Sequence, residues 1–194
     1  MPRRAPNSLF LAAVAVGSLA IGGCAGPEDW MPLSKGRQWK YLVRQAGQVM
    51  TVATDGPIRV GTDYGRLLTS EGGNSKMVWV GGELRVAQLS SMKFEPPITL
   101  LKPKERESEW THSGECIFRN VATKVKATLN QEPREMEING TKRKTLQVTL
   151  TMPLNRIDIE LVTWFEQGLG ILQQEQRNDG KLVSSMTLLS DRGG

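Results

Sequence analysis

The feature that most constrains the fold is an alternation of apolar and polar residues that repeats along most of the chain. In residues 146–152 every second residue is apolar, and Gln147, Thr149 and Thr151 lie between them. Residues 121–129 and 157–161 show the same alternation. Successive side chains of a strand point to opposite faces, so this pattern is typical of antiparallel strands with one face on a core and the other in water.

Turn residues separate these alternating segments. Glycine and asparagine supply the positive φ angles that tight hairpins require. We expect Gly81-Gly82 to join residues 76–80 to 83–89, and Asn139-Gly140 to join residues 135–138 to 142–152. The sequence therefore predicts an all-β fold, an antiparallel sheet of about ten to twelve short strands arranged as a curved half-barrel or a sandwich.

Residues 93–103 break the alternation. Pro96, Pro97 and Pro103 lack backbone donors and favour an extended path. We expect this segment to cross from an N-terminal group of strands to a C-terminal group.

The N-terminal residues have the pattern of a secretory leader. Arg3 and Arg4 precede a mostly apolar run over residues 9–21, which is followed by small residues. This run is shorter than the roughly 20 residues that a membrane-spanning helix needs. We therefore expect export and removal of the segment.

The residues that end this leader, Gly22-Gly23-Cys24-Ala25, resemble the lipobox of bacterial lipoproteins. The resemblance implies cleavage before Cys24, attachment of a diacylglyceryl group to its sulfur, and acylation of the new amino terminus, typically with palmitate. An ordinary secretory leader is the alternative. In enteric lipoproteins an Asp after the cysteine favours retention in the inner membrane, so Ala25 favours an outer-membrane protein facing the periplasm.

These features divide the chain into a signal peptide (1–23), a lipidated tether (24–29) and a single all-β domain (30–194). Five extended tether residues reach only about 15–18 Å. We expect the domain to lie close to the membrane, with membrane lipid contacted through acylated Cys24.

Composition and charge exclude several classes of function. The formal net charge is +5, and because the leader contains Arg3 and Arg4, 23 basic residues remain against 20 acidic ones. The longest basic run, residues 142–144, lies beside a turn, and no basic face is indicated. A nucleic-acid partner is therefore not expected.

Residues capable of catalysis are few and scattered. His112 is the only histidine, and we interpret it as a polar turn residue. Cys116 has no disulfide partner if Cys24 is lipidated, and its apolar neighbours indicate a small buried side chain. Asp158 and Glu160 share a strand face, but a solvated surface explains them. We expect no enzyme, no cofactor and no metal site.

Three segments of the mature part resemble a loosely defined set of mostly uncharacterised bacterial envelope β-domains. They are the Pro-Leu, glycine, Trp-x-Tyr segment of residues 31–41, the proline and leucine segment of residues 97–103 with Trp110 beyond it, and the double-glycine segment of residues 164–175. We expect Trp39, Trp110 and Trp164 to supply core area, and Gly168 and Gly170 to permit a tight return between strands.

Two classes of function remain open. The first is a non-catalytic structural or partner-binding domain of the cell envelope, with an unidentified envelope protein as partner. The alternative is a carrier of a hydrophobic ligand, a lipid or lipoprotein, similar in outline to the half-barrel lipoprotein-sorting proteins. An open apolar cavity would favour the carrier, and a filled interior the structural role. The expected lining residues are Leu84, Val86, Val148, Leu150, Ile157 and Ile159.

Overall fold

The chain forms twelve antiparallel strands in a computed structural model that describes residues 26–103, 106–138 and 140–193. A 3₁₀ helix, Pro27–Trp30, precedes them. The strands are β1 (Gln38–Val43), β2 (Gln48–Val60), β3 (Asp63–Thr69), β4 (Ser75–Val80), β5 (Glu83–Leu89), β6 (Met92–Leu101), β7 (Ser108–Phe118), β8 (Val121–Ile138), β9 (Thr141–Leu154), β10 (Ile157–Glu166), β11 (Gly170–Asn178) and β12 (Lys181–Arg192). The prediction of an all-β antiparallel protein with ten to twelve strands is confirmed.

The sheet closes into a barrel. Each strand pairs with the strands before and after it in sequence, and β1 also pairs with β12, with Gln38 opposite Arg192. The curvature that the sequence predicts therefore continues until first and last strands meet. Closure pairs β1 with β12, which would otherwise be the two edge strands of the sheet. Within the described residues, no helix has the length and apolarity needed to cross a bilayer.

The antiparallel order places the connections at two opposite ends of the barrel. The proximal end holds the 3₁₀ helix and the turns at residues 61–62, 81–82 and 167–169. The distal end is formed by the hairpins at residues 44–47, 70–74, 90–91, 119–120, 155–156 and 179–180.

The alternation correctly identifies most inward-facing residues. In β9, Leu146, Val148, Leu150 and Met152 are all buried, while Thr151 is exposed. Ile157 is an exception, with 38 % of its surface exposed, because it begins β10 at the distal hairpin and lies opposite Leu154 at the rim. The alternation is therefore reliable inside the barrel and weakens at strand ends.

Residues 93–103 do not cross between two groups of strands, contrary to the prediction. Residues 93–101 belong to β6, which lies between its sequence neighbours β5 and β7. The prolines act on pairing instead: the β6–β7 register covers only Met92 to Glu95, and Pro96 and Pro97 follow. Beyond that point side chains connect the strands, since Trp110 Nε1 donates to the Thr99 carbonyl oxygen at 2.9 Å.

Candidate functional site

A cavity of about 300 Å³ lies inside the barrel and reaches its distal end. Hairpin residues Glu71, Gly72 and Gly73 line it where it meets the surface. Its apolar lining consists of Met31, Trp39, Tyr41, Val43, Met50, Val52, Leu68, Met77, Leu89, Met92, Leu161, Ile171 and Met186. Its polar side chains are those of Gln48, Ser70, Glu71, Ser75, Ser90, Gln174, Gln176 and Ser184.

Two aromatic side chains form the floor of the cavity, and the polar atom of each donates a hydrogen bond to a backbone carbonyl oxygen. Trp39 and Tyr41 point inward from β1, and both are almost fully buried. Trp39 Nε1 donates to the Leu169 carbonyl oxygen at 2.6 Å, and Tyr41 Oη donates to the Ile171 carbonyl oxygen at 2.9 Å. Burial is the main cause that raises the pKa of the Tyr41 hydroxyl far above its ordinary range. The hydroxyl therefore stays protonated and remains a donor.

Methionines form a large part of the apolar wall. Five of the eight methionines in the sequence line the cavity: Met31, Met50, Met77, Met92 and Met186. The unbranched thioether side chain adopts several shapes at low cost and suits surfaces that accommodate varied apolar ligands. The wall can therefore adjust to the shape of an apolar chain.

The mouth of the cavity carries hydrogen-bonding groups. Gln174 Nε2 donates to Thr163 Oγ1 and Gln176 Nε2 donates to Asn178 Oδ1, both at 3.0 Å. Glu71 Oε2 accepts a hydrogen bond from the Thr51 backbone nitrogen at 3.1 Å. The site thus has an apolar floor and a polar mouth, the arrangement that binds an amphiphilic molecule with its apolar end inward.

The lining residues expected from the sequence are not those that line this cavity. Val86 and Val148 are fully buried in the packed part of the barrel, as are Leu84 and Leu150. Ile159 is also buried, and Ile157 is at the distal surface. The alternation shows which face of a strand points inward but not at which height packing leaves a space. Methionines and glutamines at inward positions, such as Met50 and Gln174, were the signal that sequence reasoning missed.

The candidate catalytic residues are not brought together. His112 lies within β7 and not in a turn, contrary to the interpretation from sequence, and its ring meets Phe94 edge-on with 6.4 Å between centroids. Its Nε2 atom is buried without a hydrogen-bond partner among the described residues. Burial lowers the pKa of His112. Cys116 is fully buried, which raises the pKa of its thiol.

Asp158 and Glu160 of β10 make separate contacts. The Glu160 carboxylate forms an ion pair with Arg177 at 3.2 Å. Asp158 is exposed, and its backbone nitrogen donates a hydrogen bond to Asp179 Oδ1 at 2.9 Å. In the described part of the chain, no group of three or more His, Cys, Asp or Glu residues could hold a metal ion.

The expected core area is supplied by Trp39, which is fully buried, and by Trp110, which is partly buried and packs against the core. Trp164 is only partly buried and does not belong to this core; its Nε1 donates to Gln147 Oε1 at 3.0 Å. Gly168 and Gly170 have φ angles of 82° and 95°, as a tight return requires. Sequence reasoning missed Trp79, whose Nε1 donates to the Met31 carbonyl oxygen at 2.9 Å and thereby holds the cavity floor.

The predicted lipidation site, Cys24, lies outside the described residues, as does the predicted signal peptide. The described part of the predicted tether, residues 26–29, packs on the proximal end of the barrel. The Gly168 nitrogen donates to the Asp29 carbonyl oxygen at 2.8 Å, and Pro27 lies beside Gly82. The chain therefore enters the barrel at the end opposite the cavity mouth.

Comparison with known proteins shows similarity of fold only. No protein-family model matches the chain, and no curated protein matches it. A protein from Parabacteroides distasonis ATCC 8503, described provisionally as a lipoprotein, is similar with a TM-score of 0.51 and 13% identity, over 88% of this chain and 100% of that one. A protein from Bacteroides fragilis NCTC 9343, described provisionally as an exported protein with a YmcC-like fold, has a TM-score of 0.51, 10% identity and the same coverage. The chain therefore shares its barrel fold with these two proteins.

Proposed function

We propose that this chain is a bacterial envelope lipoprotein, cleaved and acylated at Cys24, whose barrel binds the apolar part of an amphiphilic molecule without catalysing a reaction. The leader and the lipobox resemblance support export and anchoring. The descriptions of the two proteins of similar fold, a lipoprotein and an exported protein, agree with that destination. We favour ligand binding over a purely structural or partner-binding role.

The cavity is the observation that carries this preference. Protein interiors are normally packed as densely as organic crystals, and empty space in a core lowers stability. Here Leu84, Val148 and Leu150 pack one part of the barrel fully, whereas about 300 Å³ remains open in the other. Burial of an apolar ligand against this wall would be favourable by about 25 cal/mol for each Å² removed from water.

The size of the cavity limits the ligand. Sites for small molecules commonly measure about 300–1,000 Å³, so this one is at the lower limit. It suits one hydrocarbon chain or a compact apolar group, and a lipid with several chains would not fit completely.

The anchor and the mouth lie at opposite ends of the barrel in this arrangement. Only Ala25 and Gly26 separate Cys24 from the 3₁₀ helix, a reach of about 7 Å. The proximal end would therefore face the anchoring membrane, and the mouth would face away from it. For an outer-membrane protein, which Ala25 favours, the mouth would face the periplasm.

Replacement of Cys24 tests the anchor. A single acyl chain binds membranes only marginally, whereas two or three anchor a protein stably. Cys24→Ser should therefore give an uncleaved or soluble protein, with no acyl mass detected on the chain by mass spectrometry. An acylated, membrane-bound Cys24→Ser protein would contradict the proposal. Density-gradient separation of the wild-type membranes would distinguish outer from inner membrane.

A matched pair of valine variants tests the cavity. Val52 lines it, whereas Val49, three residues earlier on β2, is 54 % exposed and does not. We expect decanol to bind the chain that begins at residue 24 and carries Cys24→Ser, and Val52→Phe to weaken binding about tenfold in calorimetry, with Val49→Phe unchanged. Met50→Trp at the mouth provides a second obstruction if Val52→Phe does not fold. Equal binding by obstructed and control variants, or no binding at all, would refute this use of the cavity.

A further inference from the structure

The polar mouth of the cavity is rich in hydrogen-bond acceptors. The side-chain nitrogens of Gln174 and Gln176 are already used, because they donate to Thr163 and Asn178. No described group donates to their Oε1 atoms, so the carbonyl oxygens of these two lining residues remain as acceptors. A bound head group is therefore required to supply donors.

Glu71 adds a negative charge to the same mouth. One of its oxygens accepts the hydrogen bond from the Thr51 nitrogen, but no described lysine or arginine forms an ion pair with it. Among the described residues, it is the only charged side chain that lines the cavity. A carboxylate or phosphate of a ligand would meet like charge here and find few donors.

A cationic head group meets charges of both signs. The Glu71 carboxylate attracts an ammonium group at the mouth. Arg44 and Lys181, which are exposed in the distal hairpin regions next to Gln48 and Ser184, oppose its approach. A hydroxyl group has neither difficulty, because it both donates and accepts hydrogen bonds, and it would also match the amide of Gln48 and the hydroxyl of Ser184.

We infer that the ligand is an amphiphile with one apolar chain and an uncharged head group that bears several hydroxyl groups, such as a sugar or another polyol. This inference rests on the proposed function and specifies its ligand class. The chain would occupy the methionine-lined floor, and the hydroxyl groups would donate to Glu71, Gln174 and Gln176 at the mouth.

Four probes with the same ten-carbon chain separate the head group from the chain. Decyl maltoside, decanol, decanoate and decylamine are titrated at pH 7.5, below their micelle concentrations, into the chain that begins at residue 24 and carries Cys24→Ser. We expect decyl maltoside to bind about tenfold tighter than decanol, decanoate to bind more weakly than decanol, and decylamine to bind more weakly than decyl maltoside.

The outcomes distinguish this inference from the proposed function. If decanoate or decylamine binds most tightly, or if all four bind equally, the head-group inference is wrong, while binding of an apolar chain stands. If none of the four binds, both proposals are wrong.

Glu71→Gln tests the charge directly. The substitution keeps the acceptor for the Thr51 nitrogen and removes the negative charge, so we expect decanoate affinity to rise at least threefold relative to decanol affinity. Glu135→Gln, an exposed position on the proximal part of β8, is the matched control and should change neither. Unchanged decanoate affinity in a folded Glu71→Gln chain would overturn the role given to Glu71.

Discussion

The indole Nε1 of Trp39 donates a hydrogen bond to the carbonyl oxygen of Leu169 at 2.6 Å, and thereby connects β1 to the turn between β10 and β11. Gly170 lies beside this contact, and both its φ of 95° and the space around it favour glycine, since a Cβ there would lie only 3.1 Å from Met31 Sδ. The same contact forms the floor of the cavity and holds the proximal end together.

Replacement of Trp39 by Phe should therefore destabilise the barrel strongly. The substitution leaves the Leu169 carbonyl oxygen without its donor and creates a void next to Met31, at a cost of about 2–4 kcal/mol in the free energy of unfolding. Trp164→Phe loses a bond to Gln147 at a partly exposed position and should cost about 1 kcal/mol. Urea unfolding of both variants measures the two losses in the free energy of unfolding. Similar losses would show that the Trp39 contact stabilises the barrel no more than the Trp164 contact does.

Gly65 should tolerate substitution less well than Gly168, although only Gly168 has a positive φ. A Cβ at Gly65 would lie 2.0 Å from the Met77 carbonyl oxygen, so β3 and β4 would have to separate. We expect Gly65→Ala to cost about 3 kcal/mol or more. Gly168 has φ of 82° with no atom within 4 Å of a built Cβ, and Gly168→Val should cost about 1–3 kcal/mol through backbone strain alone. An unchanged thermal midpoint of Gly65→Ala would contradict the close approach of β3 and β4, and an unchanged midpoint of Gly168→Val would contradict backbone strain at Gly168.

His112 should make the protein less stable in mild acid. Burial lowers its pKa from the ordinary 6.5, so below that pH the unfolded chain binds a proton that the folded chain does not. Stability should fall as the pH decreases from 6.5 toward the lower folded pKa and level off beneath it. Because His112 is the only histidine, His112→Gln should remove most of the difference between urea midpoints at pH 7.5 and 5.5. If His112→Gln shows the same difference between its urea midpoints at the two pH values, groups other than His112 cause the loss of stability in acid.

Cys116 should be inert in the folded chain. Its side chain is fully buried beneath the β6–β7 pairing, opposite Phe94, and its raised pKa keeps the thiol protonated near neutral pH. A thiol reagent such as DTNB should react with the Cys24→Ser chain only on the timescale of unfolding, and at once in 8 M urea. Rapid reaction without denaturant would show that the barrel opens at this seam.

Much of the architecture could be predicted from local patterns, because those patterns act within single strands and hairpins. The alternation of β9 and the glycines between β4 and β5 are of this kind. Closure could not be predicted, since the pairing of Gln38 with Arg192 depends on the accumulated curvature of all twelve strands. The proline segment of β6 misled the interpretation because the strand resumes after it: β6 pairs with β5 through Met92 and Lys93 before the prolines and again from Ile98 to Leu101.

The site was less predictable than the fold. The apolar face of a strand can be identified from sequence, and Leu84 and Val148 are indeed inside. Whether an inward residue meets packed neighbours or open space depends on side chains from other strands at the same height. Inward polar residues such as Gln174 and Gln176 on β11 mark where the core ends, and this becomes evident only when their orientation is known.

The most direct measurement is NMR of the chain with ¹³C-labelled methionine methyl groups, titrated with decyl maltoside. Met31, Met50, Met77, Met92 and Met186 line the cavity, whereas Met136 and Met152 do not and serve as internal controls. We predict that the five cavity signals shift and saturate together while the two control signals stay in place. Saturable shifts confined to Met136 and Met152, or no shifts in any of the seven, would contradict binding inside the barrel.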